Sequence, residues 1–298
     1  MADSFFPEVK ASISLEQFIQ YVESTDTLMQ LKNSIYHPDK IQAMAEQLAA
    51  LGANQNLMTD KLVTELKNFW SFQTENDFKP STILLHQGKG YTIRALIWMP
   101  ESPLYPPEIF SYYEPHDHNF DFLTVGYCGT GYTTRMYEYN YDAVKGVIDE
   151  EVELTFIEET QLPQGKVMYY YSSKDVHTQY PPNELCVSLN LIIPKNQYRR
   201  QYEFEIPATA QGSCKARLIQ GRIDRTAQER CLMEAAAAIG DASSLDLIRE
   251  IAMNHKSPSV RATAWRSLQK YDLFNGDDLK LALMDPSRHV KATLTEVI

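Results

Sequence analysis

The stretch EPHDHNFDFLTVGYCG, residues 114–129, sets two of the seven histidines, His116 and His118, at the head of an alternating apolar run that ends in glycine. Alternation closed by a glycine reads as a strand leading into a hairpin. Side chains two apart on a strand share a face and lie about 7 Å apart along it, so His116 and His118 point together while Asp117 points away. One metal ion bridges such a pair when a third donor arrives from a neighbouring strand. The plain alternative is two polar residues on a solvated edge. His177, in SSKDVHTQYPPNELCVSLNLII (172–193), is the preferred third donor, because sheet closure brings the last strand beside the one that carries the pair. His86 competes for that role. Asp121 is a candidate fourth ligand, although its offset puts it on the face opposite His118.

Working outward, the 298 residues are 44% apolar, enough to fill the core of one large domain or two ordinary ones. The formal charge of −11 and the lack of a basic run argue against a nucleic-acid or anionic-membrane partner. The N-terminal MADSFFPEVKASIS has no basic segment followed by an apolar core, and no apolar run reaches membrane-spanning length, so the expected location is cytoplasmic. Cys128, Cys186, Cys214 and Cys231 contain no CxxC pair and read as small buried or half-buried thiols.

Three textures succeed one another, predicting a multidomain α+β chain. Residues 1–80 are helical, with Ser14 as N-cap of SLEQFIQYVES, Gly52 closing KIQAMAEQLAALG and a third amphipathic run in MTDKLVTELKNFW. Residues 81–210 are β: YTIRALIWM, EIFSYYE, FDFLTVGYCG, YTTRMYEYN, EVELTFIEE, KVMYYYSS and ELCVSLNLII are short, aromatic or β-branched, and separated by turn residues. Seven such strands predict a sandwich or barrel, on which the N-terminal helices are expected to pack. Residues 222–298 return to helices, and SPSVRATAWRSL and DPSRHVKATLTEV share a Pro-led pattern about thirty residues apart.

The histidine segment resembles the cupin signature, in which H-x-H is followed by a carboxylate and then by glycine. His116, His118 and Gly129 match, and the carboxylate position reads Phe122. The resemblance therefore implies a jelly-roll barrel of the three-histidine subset, typified by thiol dioxygenases of the cysteine dioxygenase type. Within that subset, YTIR (Tyr91 to Arg94) is similar to the Y-T-R that carries a carboxylate-binding arginine, and VSLNL (187–191) to its V-S-L-H-L. The family's Ser-His-Tyr relay falls on Ser188, Asn190 and Ile192, so only the serine is kept. The crosslinking cysteine of some members would fall at Leu123. Ser188 and Asn190 are expected to line the site behind the ligands. Arg94, with Tyr91, is expected to hold the substrate, or else Arg94 is a buried ion-pair partner. Arg135 shares a face with Tyr137 and adds a second cation if that face is the interior. The C-terminal helices are similar to HEAT-type repeats, with Pro258, Val260, Arg261 and Ala264 in P-x-V-R-x-x-A and Lys291 at the second arginine position.

Three neutral imidazoles leave a divalent metal its full charge and open positions, which suits Fe(II), while other divalent transition metals bind the same donors. The resulting expectation is a three-histidine non-haem iron oxygenase using O₂ and a small carboxylate or amino-acid-derived substrate. The rival classes are a redox-inactive cupin isomerase or lyase and a non-catalytic cupin sensor or scaffold whose repeats bind a partner. Because the chain ends on Leu294, Val297 and Ile298 without a polar cap, the barrel, a second copy or a partner protein is expected to cover the repeat stack.

Overall fold

Ser14 caps the first long helix by a reciprocal pair of bonds: its hydroxyl accepts from the Gln17 amide at 3.2 Å, and the Gln17 side chain accepts from the Ser14 amide at 2.8 Å. This computed structural model describes residues 2–33, 37–68, 80–105, 109–195, 199–219 and 227–294. Four helices open the chain: α1 (Leu15–Ser24), α2 (Thr27–Lys32), α3 (Pro38–Gly52) and α4 (Leu57–Lys67). Phe18, Val22, Ile41, Met44 and Leu48 form their buried stripe. Gly52 eases the close approach of α3 to the sheet, where an added Cβ would stand 3.1 Å from a Val125 methyl.

Contacts divide the chain into two units, residues 1–138 with 155–196, and residues 139–154 with 197–298. The helices of the first segment share one core with the sheet. The strands of the first unit are β1 (Asp3–Phe5), β2 (Thr82–Gly88), β3 (Tyr91–Trp98), β4 (Phe120–Cys128), β5 (Thr133–Glu138), β6 (Glu151–Gln161), β7 (Val167–Tyr170), β8 (Asp175–Tyr180) and β9 (Cys186–Pro194), with residues 151–154 of β6 counted in the second unit. Six of them form an antiparallel sheet in the order β1-β7-β4-β9-β3-β2. The remaining three pair antiparallel as β6-β5-β8.

Strand alternation gives the six-stranded sheet two different faces. Tyr91, Ile93, Leu123, Val125, Leu189 and Leu191 pack against the helices. Trp98, Phe122, Met168, Tyr170 and Ile192 face inward and share a second cluster with Met136 of β5. Two sheets burying a common side-chain layer make a β-sandwich arrangement.

Over its described residues, 109–114, the expected strand EIFSYYE does not form. Ser111 and Tyr113 take left-handed φ values of 57° and 61°, leaving a single bridge, Tyr112 to Gln179. Three strands beyond the expected set, β1, β2 and β8, complete these sheets.

In the second unit, β10 (Glu203–Glu205) and β11 (Cys214–Ile219) pair with each other, and β11 pairs with residues 151–154. Helices α5 (Ala227–Ile239), α6 (Ala242–Asn254), α7 (Pro258–Lys270), α8 (Gly276–Leu283) and α9 (Arg288–Thr293) enclose a core around Trp265, Leu268 and Val290. Arg261 makes a bidentate pair with Asp285 at 2.7 and 2.9 Å, and Arg249 meets Asp278 at 3.1 Å. Leu294 is buried in this core, whereas Val297 and Ile298 lie outside the described residues. No described helix is long and apolar enough to cross a membrane.

Candidate metal centre

His116 and His118 precede β4 instead of lying on a strand, and a backbone rung fixes the first of them. The His116 amide donates to the His177 carbonyl at 3.1 Å, and the His177 amide returns the bond to the His116 carbonyl at 3.0 Å. Residues that exchange both bonds stand directly opposite each other with side chains on one face. His177 lies on β8, a strand of its own, so the third donor arrives from the sheet that faces β4. The His118 carbonyl accepts from the Ser173 amide at 2.6 Å, anchoring the second donor to the turn before β8.

The three rings converge. Their centroids are 4.9 Å apart for His116 and His118, 4.5 Å for His116 and His177, and 5.0 Å for His118 and His177. One ring nitrogen from each lies within 4.8 Å of the other two. His116 Nδ1 donates to the Glu114 carbonyl at 2.7 Å, which leaves Nε2 with its lone pair for a ligand. His177 is buried, and burial, helped by the neighbouring His116, holds its imidazole well below the usual pKa and therefore neutral. Its Nδ1 has no hydrogen-bond partner among the described residues. Three converging imidazoles, one of them buried and held neutral, fit a divalent transition metal.

Aromatic rings wall the cluster. Phe120 stacks on His118 at 4.4 Å, and Phe122 stands edge-on to it at 5.2 Å. Phe122, at the position where a cupin carboxylate would sit, stacks in parallel on Tyr170 at 4.4 Å, and Tyr170 lies 4.9 Å from His177. Phe122 and Tyr170 thus form an apolar wall beside the cluster. A surface cavity of about 540 Å³ lies elsewhere, lined by residues including Ser4, Phe5, Pro38 and Ile157, and none of the three histidines borders it.

The other expected site residues separate by face. Arg94, Ser188 and Asn190 point inward: Arg94 is opposite Asn190 in register, Asn190 Oδ1 accepts from Thr124 at 2.7 Å, and the Ser188 hydroxyl accepts from Trp98 Nε1 at 3.0 Å. Tyr91 points to the helices, where its hydroxyl donates to Glu23 at 2.9 Å, so the structure does not bring it to the histidines. Burial and that carboxylate push the Tyr91 phenol up to about 12. Arg135 and Tyr137 are likewise on the wrong face of β5, because Met136 is the residue opposite His177. Arg135 pairs there with Glu159 at 2.9 Å, and Tyr137 packs on Phe156. Asp121 is turned away from His118 and bound by Lys195 at 2.6 Å, by the Ser172 amide at 2.7 Å and by the Tyr169 hydroxyl, which excludes it as a fourth donor. His86 is opposite Ile93 on the helix-facing side and stands 5.6 Å from Tyr91, away from the pair. Tyr170, Phe120 and Phe122 are the site residues that sequence reasoning passed over. The run of three tyrosines at 169–171 was the available signal for Tyr170, since alternation sends only the middle one inward.

No protein-family model matches the chain, and no curated protein does. Among solved structures, the chain is similar to one from the crystal structures of the DMSP lyases RdDddP and RnDddQII, at 10% identity over 38% of this chain and 44% of that one, with a TM-score of 0.25. It thus spans less than half the length of that chain. It is also similar to a prolyl-4-hydroxylase from Pseudomonas putida, at 11% identity over 65% and 85% of the two chains and a TM-score of 0.25. A third likeness is to CoII HppE in complex with Tris buffer, at 10% identity over 60% and 96% and a TM-score of 0.22. At these scores the likenesses carry no argument about fold or activity.

Proposed function

We propose that the chain is a cupin-type, three-histidine metal-dependent oxidoreductase, a non-haem iron oxygenase acting with O₂ on a small carboxylate or amino-acid-derived substrate. The observation that carries this reading is the convergence of His116, His118 and His177, with one nitrogen from each within 4.8 Å. When bound, a divalent metal on three neutral imidazoles supplies Lewis acidity and open coordination positions, and Fe(II) adds the capacity to use O₂. The chain's own residues do the rest. The Glu114 carbonyl orients His116, while Phe120, Phe122 and Tyr170 exclude water from the inner side. Arg94 supplies a cation on the inward face for the substrate carboxylate. In this reading the two facing sheets are a cupin jelly roll, and the helices of 222–298 are HEAT-like repeats that serve self-association or a partner protein.

Anaerobic purification with elemental analysis, followed by oxygen uptake on a panel of small carboxylates, tests the proposal. About one transition metal per chain and substrate-dependent uptake are expected. Metal-free protein that takes up none on reconstitution with Fe(II) overturns it. A second reading, a non-catalytic sensor barrel, is favoured by the relay positions: Asn190 is bonded to Thr124, and Ile192 stands where a tyrosine would carry a proton. Metal binding and ligand binding without oxygen uptake or turnover would select it.

A further inference from the structure

Beyond His177, β8 turns a second polar side chain into the same interior. Gln179 is two residues along on the same face, about 7 Å from His177 by the strand rise. Thr134 of β5 stands directly opposite it in register. Gln179 is 6% exposed and Thr134 0%, and Gln179 Oε1 and Thr134 Oγ1 have no hydrogen-bond partner of standard geometry among the described residues. Arg94, Asn190 and Thr124 lie on the inward face of the other sheet, and Tyr132 lies beside both Thr124 and Arg94. This is a polar stratum beneath the aromatic layer, holding a cation, hydroxyls and amides. Sequence reasoning assigned no role to Gln179 or Thr134.

Buried acceptors without donors cost free energy, and they persist where something supplies the missing bond. The Gln179 carbonyl accepts from the Tyr113 amide at 3.0 Å, which ties its backbone to the neighbouring segment while the side-chain oxygen has no partner among the described residues. Tyr170 links these residues to the histidines, with its ring against His177 and its hydroxyl beside Thr134.

We infer that Gln179 and Thr134 form a specificity subsite that accepts a hydrogen bond from a hydroxyl or amine carried next to the carboxylate of the ligand. This deepens the proposed function and rests on Arg94 holding that carboxylate. The subsite selects 2-hydroxy or 2-amino acids over plain acids, because a plain acid leaves both acceptors unpaired.

Calorimetric titration of the purified protein with propionate, lactate and alanine tests it, with Gln179→Leu and Thr134→Val beside the wild type and metal content and melting temperature measured on every sample. The wild type should bind lactate or alanine at least about tenfold more tightly than propionate. Either variant should bring that ratio to within about twofold, while propionate affinity holds and the melting temperature stays level or rises, as for removal of an unpaired buried polar group. A ratio unchanged in both variants, or a wild type without preference, overturns the inference, and a fall in melting temperature with the ratio unchanged assigns the pair to structure. A metal-free wild type that keeps the preference supports the subsite while removing the oxygenase reading. Bound metal without the preference does the reverse.

Discussion

The two faces of the six-stranded sheet are built from the same strands yet solve opposite problems. On the helix side several polar groups are answered: Tyr91 by Glu23, Asp121 by Lys195 and Tyr169, and Tyr127, whose hydroxyl donates to the carbonyls of Asn54 and Gln55 at 2.9 Å each, while His86 Nε2 has no partner among the described residues. The other face shares its interior with the second sheet, where His177 Nδ1 and Gln179 Oε1 of β8 and Thr134 Oγ1 of β5 have no hydrogen-bond partner of standard geometry among the described residues, and Arg94 brings a charge into that aromatic interior. Satisfied polar groups stabilise a fold, whereas open ones hold it ready for a ligand. A shift of one residue along a strand separates the two roles.

The largest effect should come from the histidines, and it is the most direct way to break the comparison. His177→Ala should take metal content from about one per chain to near zero without unfolding the protein, whereas His86→Ala, on the helix face, should leave it unchanged. Elemental analysis and circular dichroism of both variants check this, and metal loss in the His86 variant alone would reverse the assignment of faces. Asp121→Ala should do the converse. It strands Lys195, whose side chain is 8% exposed, and should cost about 3–5 kcal/mol in urea unfolding while metal content holds.

Arg94→Met sharpens the contrast within a single strand. Loss of a charge-assisted bond of about 1.5–3 kcal/mol should raise the apparent KM for a carboxylate substrate roughly tenfold to a hundredfold, with metal retained. Unchanged kinetics and a lowered melting temperature would return Arg94 to a structural role. Tyr91→Phe, three residues away and on the other face, should lower stability by about 1 kcal/mol and leave KM alone, as denaturant titration and steady-state kinetics would show.

Much of this contrast is legible in the sequence. The spacing of His116 and His118 and the choice of His177 over His86 point to the residues that converge, and the Ser14 cap and the Gly52 stop lie where the helix signals put them. Alternation also held information left unused: Tyr91 and Arg94 differ by an odd number, so a regular strand cannot aim both at one site. Arg135 and Tyr137 were harder, because both faces of β5 are well covered and nothing local marks the inner one. DVHTQY went unrecognised as a strand for a physical reason. Its inward positions are Asp175, His177 and Gln179, the reverse of the apolar-in pattern from which strands are read. EIFSYYE has strand composition, but two residues in left-handed conformations break it, and φ is invisible to composition.

The reciprocal backbone bonds between His116 and His177 have a consequence for chain entropy. They join the ends of a long excursion of the polypeptide, and closing such a loop carries an entropic cost that grows slowly with its length. Main-chain hydrogen bonding meets that cost during folding, so two of the three imidazoles stand side by side before any ion arrives. Binding then needs only local adjustment of rings, and the ion should enter and leave a folded protein without the global unfolding on which metal-dependent small domains rely.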